Sequence, residues 1–466
     1  MSKLRWIRIS VLLAGLSMFA AAQNPQSGVP ASQVDETTPP PAFGQTAPIL
    51  NPDNPPLSGL DEPSLRLRTA NRSFISPEIQ VGESIDSNAQ NSLKNARGEG
   101  VSHLLGALDL QKFWPRSDLF LEYLGGAAFG DSPYYVRQLQ AVGLQAVTRW
   151  RTGQFTLRDG LDYLPDGSFF AASAGGLPGF GIATGAIGLG LPGVARLNGS
   201  SVGTIPRLSN TAAAQATQAL TPRSAVTFVG AFGSQHFYNN SDNLVDGDST
   251  TVEGGYSHLV SRHDQVALIY AFQIFQFPLK EGGEIYNNVM NVRYSHVING
   301  KMSFVGSVGP QYTDVHYGGG HTEWSPTGRA IFRYRFSHAS LTASYEKFRA
   351  LGSGFFAGAD SQVAEVAFRR PLGRTFEIST EGGFSYNTRL QSSNFGAVGA
   401  TSYKDGFIGT VLRKHLGRTW DAIAAYRFSE LQFNAPVTLG GEKGRTNQRQ
   451  VGTVALEWHP RAIRLE

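Results

Sequence analysis

The side chains best placed to act on a solute are arginines. Arg329, Arg333 and Arg335 share one parity in a stretch whose other parity carries Ala330, Phe332, Tyr334 and Phe336. Residues two apart in an extended strand lie on the same face, so one face of this stretch is cationic and the other apolar. Other stretches place Arg149, Arg151, Arg158, Arg293 and Arg427 on the corresponding parity, together with Glu122, Asp162, Glu346, Glu377, Glu381, Asp421 and Glu457. Fixed guanidiniums stay charged and offer several donors each, which suits them to ordering anions. A second reading pairs these arginines with Glu377 or Glu381 on neighbouring strands, where they stiffen a wall. The two roles can coexist.

Other chemistry is poorly supported. His316 and His321, near Asp314 and Glu323, are five apart in a Gly-rich stretch, a spacing more usual for solvated histidines than for metal ligands. Asp242, Asp246 and Asp248 form an acidic loop without the spacing of an EF-hand. Ser257 and His258 are adjacent and so point to opposite faces of a strand, where they cannot act as nucleophile and base. Gly179-Phe180-Gly181 lacks the strand–helix setting of a nucleotide loop. The expectation is a non-enzymatic protein with no catalytic residue, metal or cofactor.

Composition narrows what can carry the arginine face. The 466 residues include 54 Gly and 11% aromatics, with only 16% charged residues, against the ~25% charged residues usual in soluble domains. Mean hydropathy is −0.19. Only the extreme N-terminus is apolar enough to resemble a membrane helix, which excludes a polytopic helical membrane protein. Cysteine is absent, excluding disulfides and thiolate metal sites. Lys3, Arg5 and Arg8 precede the apolar run Val11 to Phe19 and the small residues Ala20-Ala21-Ala22, the layout of a secretory signal peptide. Its removal takes away three basic and no acidic side chains, so the +4 of the whole chain overstates the mature charge. No basic run suggests nucleic acid as a partner. The domain reading is a signal peptide at 1–22, a Pro-rich extended or disordered tail at 23–72, and one β domain at 73–466.

That domain reads as strands of about 10–15 residues that alternate apolar with polar or small residues. Phe376, Ile378, Phe384 and Tyr386 oppose Glu377, Glu381, Ser385 and Asn387; Trp420, Ala422, Ala424, Tyr426 and Phe428 oppose Asp421, Arg427 and Ser429. Val266 to Phe277 and Phe407 to Lys414 alternate poorly. Short turns are expected at Trp114–Arg116, Thr152-Gly153, Thr221–Arg223, Arg262–Asp264, Asn299-Gly300, Ser337-His338, Leu372–Thr375 and Leu416–Thr419. Longer loops are expected between them, near 87–100, 130–135, 164–209, 239–248, 278–284, 316–322, 351–359, 389–396 and 432–447. The fold expected is an all-β, transmembrane, antiparallel up-and-down barrel of about 18 strands (16–18), because a β protein in lipid must close to pair every backbone group. Alternating short turns and long loops match the two ends of such a barrel. Trp114, Trp150, Phe155, Phe376 and Trp420 beside the short turns fit an interfacial girdle. A soluble sandwich or propeller is the alternative; strands of this length and the lack of a blade repeat weigh against it.

The strand Phe74 to Asp86, ending in Asp86-Ser87-Asn88, and turns such as Leu416-Gly417-Arg418-Thr419 resemble the β-barrel porins of Gram-negative outer membranes. The resemblance covers about residues 70–460. It implies a place in the cell outer membrane, contact with outer-membrane lipid and with the assembly machinery, and passive passage of small hydrophilic, even anionic, solutes, with the arginine face lining the pore. An outer-membrane channel for polysaccharide export and a non-conducting barrel that binds partners through its loops are the alternatives. Oligomeric state is left open. Trp458 is followed by eight further residues rather than standing at the end of the chain, a departure from the terminal aromatic usual in this class. The Gly-rich, nearly uncharged stretch 164–209 is expected to fold into the barrel mouth as a constriction, so that deleting 170–200 raises single-channel conductance; unchanged conductance would refute it.

Overall fold

A computed structural model of the chain describes residues 73–89, 92–94, 96–130, 136–164, 207–238, 244–278, 283–299, 301–316, 320–336, 339–351, 354–390, 399–439 and 442–465. The signal-peptide, tail and Gly-rich-loop readings thus fall outside them, except that the expected loop's last residues, from Arg207, are already strand. All described residues belong to one compact unit.

The strands are β1 (Phe74–Asp86), β2 (Glu99–Phe113), β3 (Ser117–Gly130), β4 (Val136–Trp150), β5 (Gly153–Leu164), β6 (Arg207–Thr221), β7 (Ser224–Phe237), β8 (Gly247–Leu259), β9 (Asp264–Phe277), β10 (Gly283–Asn299), β11 (Met302–Val315), β12 (His321–Arg335), β13 (Ser340–Ala350), β14 (Ala359–Leu372), β15 (Phe376–Arg389), β16 (Ser402–His415), β17 (Trp420–Leu439), β18 (Glu442–Trp458) and the two-residue β19 (Ile463–Arg464). From β1 to β18 each pairs antiparallel with the next, and β1 also pairs with β18, which closes an 18-strand barrel; β19 pairs with the start of β1. Closure leaves no unpaired sheet edge around the ring as a whole.

The faces are inverted relative to a water-soluble protein. In β1, Ile79, Val81 and Ile85 point outward and are exposed, while Gln80, Ser84 and Asp86 point inward and are buried. The same inversion recurs along much of the wall, Met290 and Val292 against Arg293, Val454 and Leu456 against Thr453 and Glu457, whereas β9 is apolar on both faces, with Ile269, Phe275 and Phe277 buried inside. A continuous apolar outer surface is a solvent-incompatible patch; it becomes favourable in hydrocarbon. On β12 the outward Trp324 and Tyr334 are ten residues apart. At about 3.3 Å per residue and a tilt of about 40°, they bracket roughly 25 Å of wall, the height of a barrel's apolar band.

The short turns expected at Trp114–Arg116, Thr152-Gly153, Thr221–Arg223, Arg262–Asp264, Leu372–Thr375 and Leu416–Thr419 lie between successive strands; Gly300, Ser337 and His338 of the other two lie outside the described residues. Gly373 and Gly417 adopt positive φ in two of them. Two boundaries differ from the sequence reading. The expected loop 432–447 is strand: β17 runs on to Leu439 and β18 begins at Glu442, with a register shift between Gln432 and Val437. The chain also stays in the wall after Trp458. Ile463 and Arg464 pair with Ile75 and Phe74, and Leu465 N–H donates to Ser73 O at 2.9 Å. The residues that follow the last aromatic therefore extend the closing strand.

Candidate functional site: the inner face and the mouth

The alternation that turns apolar side chains outward turns charged ones into the lumen. Arg149 meets Asp118 at 2.8 Å, and Arg427 donates to Glu381 at 3.1 Å while its guanidinium stacks over the Phe407 ring at 4.2 Å. Arg329 lies opposite Glu346 in the ladder, 3.9 Å away. Glu377 is held by Arg369 at 2.6 Å, and Asp421 by Arg413 at 3.0 Å. Arg158 and Arg293 are buried on the inner face, and Arg333 shares the inward parity of its strand. Arg335 ends β12 exposed at the short-turn rim. Arg151 corrects the sequence reading: it is in the turn between β4 and β5, exposed, and not in the wall. Of the pairings foreseen with Glu377 and Glu381, Arg427–Glu381 forms, and Glu377 is held by Arg369. The backbones of Glu122 and Asp162 lie in β3 and β5.

The sequence reading overlooked Arg413 and Arg449. Arg413 lies in the poorly alternating stretch of β16, where Val411 also points inward and Leu412 outward, so parity is hard to read. Arg449 follows Thr446-Asn447-Gln448, polar on both faces. It grips Asp86 from Nε at 3.1 and 3.0 Å and from Nη2 at 2.5 Å, both side chains almost wholly buried. This bidentate pair crosses the β1–β18 closure. Asp86 also accepts from Asn88 N–H at 3.0 Å, and Ser87 and Gln450 exchange hydrogen bonds. Asp86-Ser87-Asn88 thus locks the chain's first strand to its last long one.

Among the described residues, the inner charges are unevenly distributed. Arg149, Arg158, Arg207, Arg293, Arg329 and Arg333 lie on β4–β12, with Glu253, Glu323 and, on neighbouring β3, Asp118 as acidic company. The wall from β13 through β18 to β2 carries Glu346, Glu365, Glu377, Glu381, Asp405, Asp421, Glu457, Glu78, Asp86, Glu99 and Asp109 against Arg349, Arg369, Arg413, Arg427 and Arg449. A transverse field across the lumen results, positive on one wall and negative on the other.

The long-loop end is apolar inside. Phe355 and Phe356, between β13 and β14, are buried against Tyr403 of β16 and Phe433 of β17, with ring centroids 5.3–5.4 Å apart. Phe237 of β7, Leu244 and Leu93 complete the same cluster. Val245 N–H donates to Gly354 O at 2.7 Å. Gly354 has φ +83°, and a Cβ there would stand 2.3 Å from the Phe237 ring; only glycine fits so close to that ring in that conformation. Strands β7 and β16 are nine apart in a ring of eighteen, so adjacent residues Gly354 and Phe355 touch opposite sides of the rim. The mouth is bridged at this level. A second cluster joins Leu351 and Ala357 to the inward Phe275, Phe277, Ile285 and Val315 of β9–β11. This explains why Val266 to Phe277 alternates poorly: its upper inner face packs against an inserted loop rather than facing water.

The insertion is anchored by Arg349. Pairing of β13 with β12 ends at Gly328–Lys347, while β13 goes on with β14 to Ala350–Ala359. The hairpin tip leaves the wall and folds behind β12. Arg349 then reaches inward-facing groups, Thr313 Oγ1 at 3.2 Å and Ser325 Oγ at 2.8 Å, and the carboxylates of Glu323 at 3.2 Å and Asp360 at 3.4 Å. The constriction found among the described residues is therefore built by Leu351 and by residues 354–358.

Elsewhere, His316 meets Asp314 at 2.9 Å, and His321 does not join them in a group of three donors. Asp246 binds His236 and the Phe237 N–H; Asp242 lies outside the described residues. Ser257 donates to Ala225 O, and His258 meets Ser224, so the two act on different neighbours as their opposite parity requires.

Inside-out faces, a closed antiparallel wall and a charged lumen define the class: an up-and-down β-barrel of the membrane-spanning kind. No protein-family model and no curated protein matches the chain. Among solved structures, the chain is similar to Pseudomonas aeruginosa OpdO (12% identity, TM-score 0.39, covering 84% of this chain and 98% of that one). It is similar to P. aeruginosa OccK2 (OpdF) in complex with glucuronate (9%, 0.41, 84% and 98%) and to Acinetobacter baumannii OccAB3 (11%, 0.38, 83% and 99%).

Proposed function

We propose that this barrel resides in the outer membrane of a Gram-negative cell, is exported by its N-terminal signal and inserted by the outer-membrane assembly machinery, and serves as a passive, porin-like channel for small hydrophilic, preferentially anionic solutes. The observation that carries this reading is the pairing of a continuous apolar outer face with a lumen whose β4–β12 wall presents Arg158, Arg293, Arg329 and Arg333. Charge is tolerated inside such a barrel and costly on its lipid side, and rings or rows of one sign select ions. The bridged mouth favours small solutes over a polymer chain. Catalysis has no part in it.

The test is planar-bilayer recording of the refolded mature protein under a salt gradient. Stable steps with a reversal potential on the anion-selective side are expected. Replacing Arg329 and Arg333 together by glutamate should move that potential toward cation selectivity while the step size stays comparable. A reversal potential that does not move refutes the assignment of these arginines to the pore. Silence from a barrel shown to be folded and inserted refutes the channel and favours a surface protein that binds through its loops.

A further inference from the structure

At the short-turn end of the inner face, three strands bring carboxylates together around one guanidinium. Asp421 and Glu457 are direct cross-strand partners on β17 and β18. Arg413 Nη1 lies 3.0 Å from Asp421 Oδ2 and 2.9 Å from Glu457 Oε1. The other oxygen of each carboxylate turns away from Arg413. Asp421 Oδ1 accepts from His415 Nδ1 at 2.8 Å and lies 3.4 Å from His459 Nε2. Glu457 Oε2 is buried with no hydrogen-bond partner, and so is Oε2 of Glu78 on β1. Glu78 is within Coulombic reach of Glu457, Asp421 and Arg413. Glu78, Asp421 and Glu457 are all essentially without solvent exposure.

Three buried carboxyl groups around one arginine leave oxygens that Arg413 does not reach, where either a proton or a second cation must compensate. Burial without compensation is strongly unfavourable. The unpartnered oxygens of Glu457 and Glu78 mark the place where compensation is missing. One donor from each of Asp421, Glu457 and His459 already falls within 4.8 Å of the others.

We propose that Asp421, Glu457 and His459 form a binding site for a divalent cation of the zinc type, with Glu78 beside it. An imidazole with two carboxylates suits borderline metals such as Zn²⁺. Tetrahedral zinc at bonds of ~2.05 Å holds its ligand atoms about 3.3 Å apart, so modest rotation of the side chains closes the site. Arg413 and His415, bound to the carboxylates from behind, orient them as outer-shell partners do. His459 follows the end of β18, with its N–H bonded to Thr419 O at 2.9 Å. Its side chain is 22% exposed, while Nε2 itself is buried and without a hydrogen-bond partner. Bound here, the ion would tie β17 and β18 together next to the closure with β1. This departs from the sequence-based expectation of a metal-free protein.

Zinc chloride titrated into the refolded full-length barrel, followed by calorimetry, tests the site. One saturable event per chain is expected. His459→Ala should weaken it at least by the ~10–100-fold that follows loss of an outer-shell partner. Asp421→Asn should do the same without changing shape. His459 lies beyond the last long strand, so its variant keeps the test decisive even where the Asp421 variant does not fold. Absence of saturable binding by the folded barrel overturns the proposal. Undiminished binding in His459→Ala also overturns it, since the metal would then sit at another His–Asp pair.

Discussion

Replacing Phe355 and Phe356 together by alanine should raise single-channel conductance severalfold. Both rings are buried within one cluster that spans the mouth, and each packs edge-on or tilted against aromatics of β16 and β17. Truncating a buried phenylalanine typically costs about 3–5 kcal/mol. Here that loss falls on a loop whose other holds are Arg349, the smaller contacts of Leu351 and Ala357 with β9–β11, and a few backbone hydrogen bonds, among them Gly354 O to Val245 N–H. The wall itself is a continuous ladder that the substitution does not touch. The inserted tip should therefore come free before the barrel does, and water should fill the space the rings vacate. Current through the refolded variant, with its fold confirmed by heat-dependent gel migration, reads the effect directly. Unchanged step size in a folded, inserted barrel would show that the narrowest point lies elsewhere, and the Gly-rich stretch 164–209 would become the first candidate.

The second large effect is expected at the closure. Arg449→Ala leaves Asp86 buried, charged and deprived of a bidentate partner. Breaking a buried ion pair from one side typically costs about 3–5 kcal/mol. The denaturant midpoint of the barrel in lipid vesicles should fall accordingly with little change in slope. The double variant Asp86→Ala, Arg449→Met should recover much of the loss, because removing both charges abolishes the unpaired one. Equal midpoints for Arg449→Ala and the unsubstituted protein would mean that water solvates Asp86 at this position and that the pair adds nothing to closure.

Strand identity, strand count and the sidedness of the turns were legible along the chain because each depends on local pattern. Alternation has a fixed period of two, and seven of the eight expected short turns carry Gly, Pro, Asn or Asp at places where the chain must reverse. The inward direction of Arg329, Arg427, Glu381 and Asp421 followed from the same parity. Reading failed where parity carried no contrast. Arg413 was hidden in a stretch apolar on both faces, Arg449 in one polar on both, and 432–439 and 442–447 looked like loop because their polar, Pro- and Gly-containing residues show no alternation.

What the amino-acid sequence alone determined about this protein is the wall: long alternating strands that can be stable only when closed, apolar outside and polar within. What only the tertiary structure decided is who meets whom across that wall. Phe355 and Tyr403 are 48 positions apart in the chain, Asp86 and Arg449 363 apart. No local periodicity encodes either meeting. Ring closure places β1 beside β18, and the departure of β13 from β12 after Lys347 carries a loop into the mouth. Both are consequences of register and packing over the whole barrel, and these put the bridge across the lumen, the lock at the closure and the carboxylate–histidine cluster where they are.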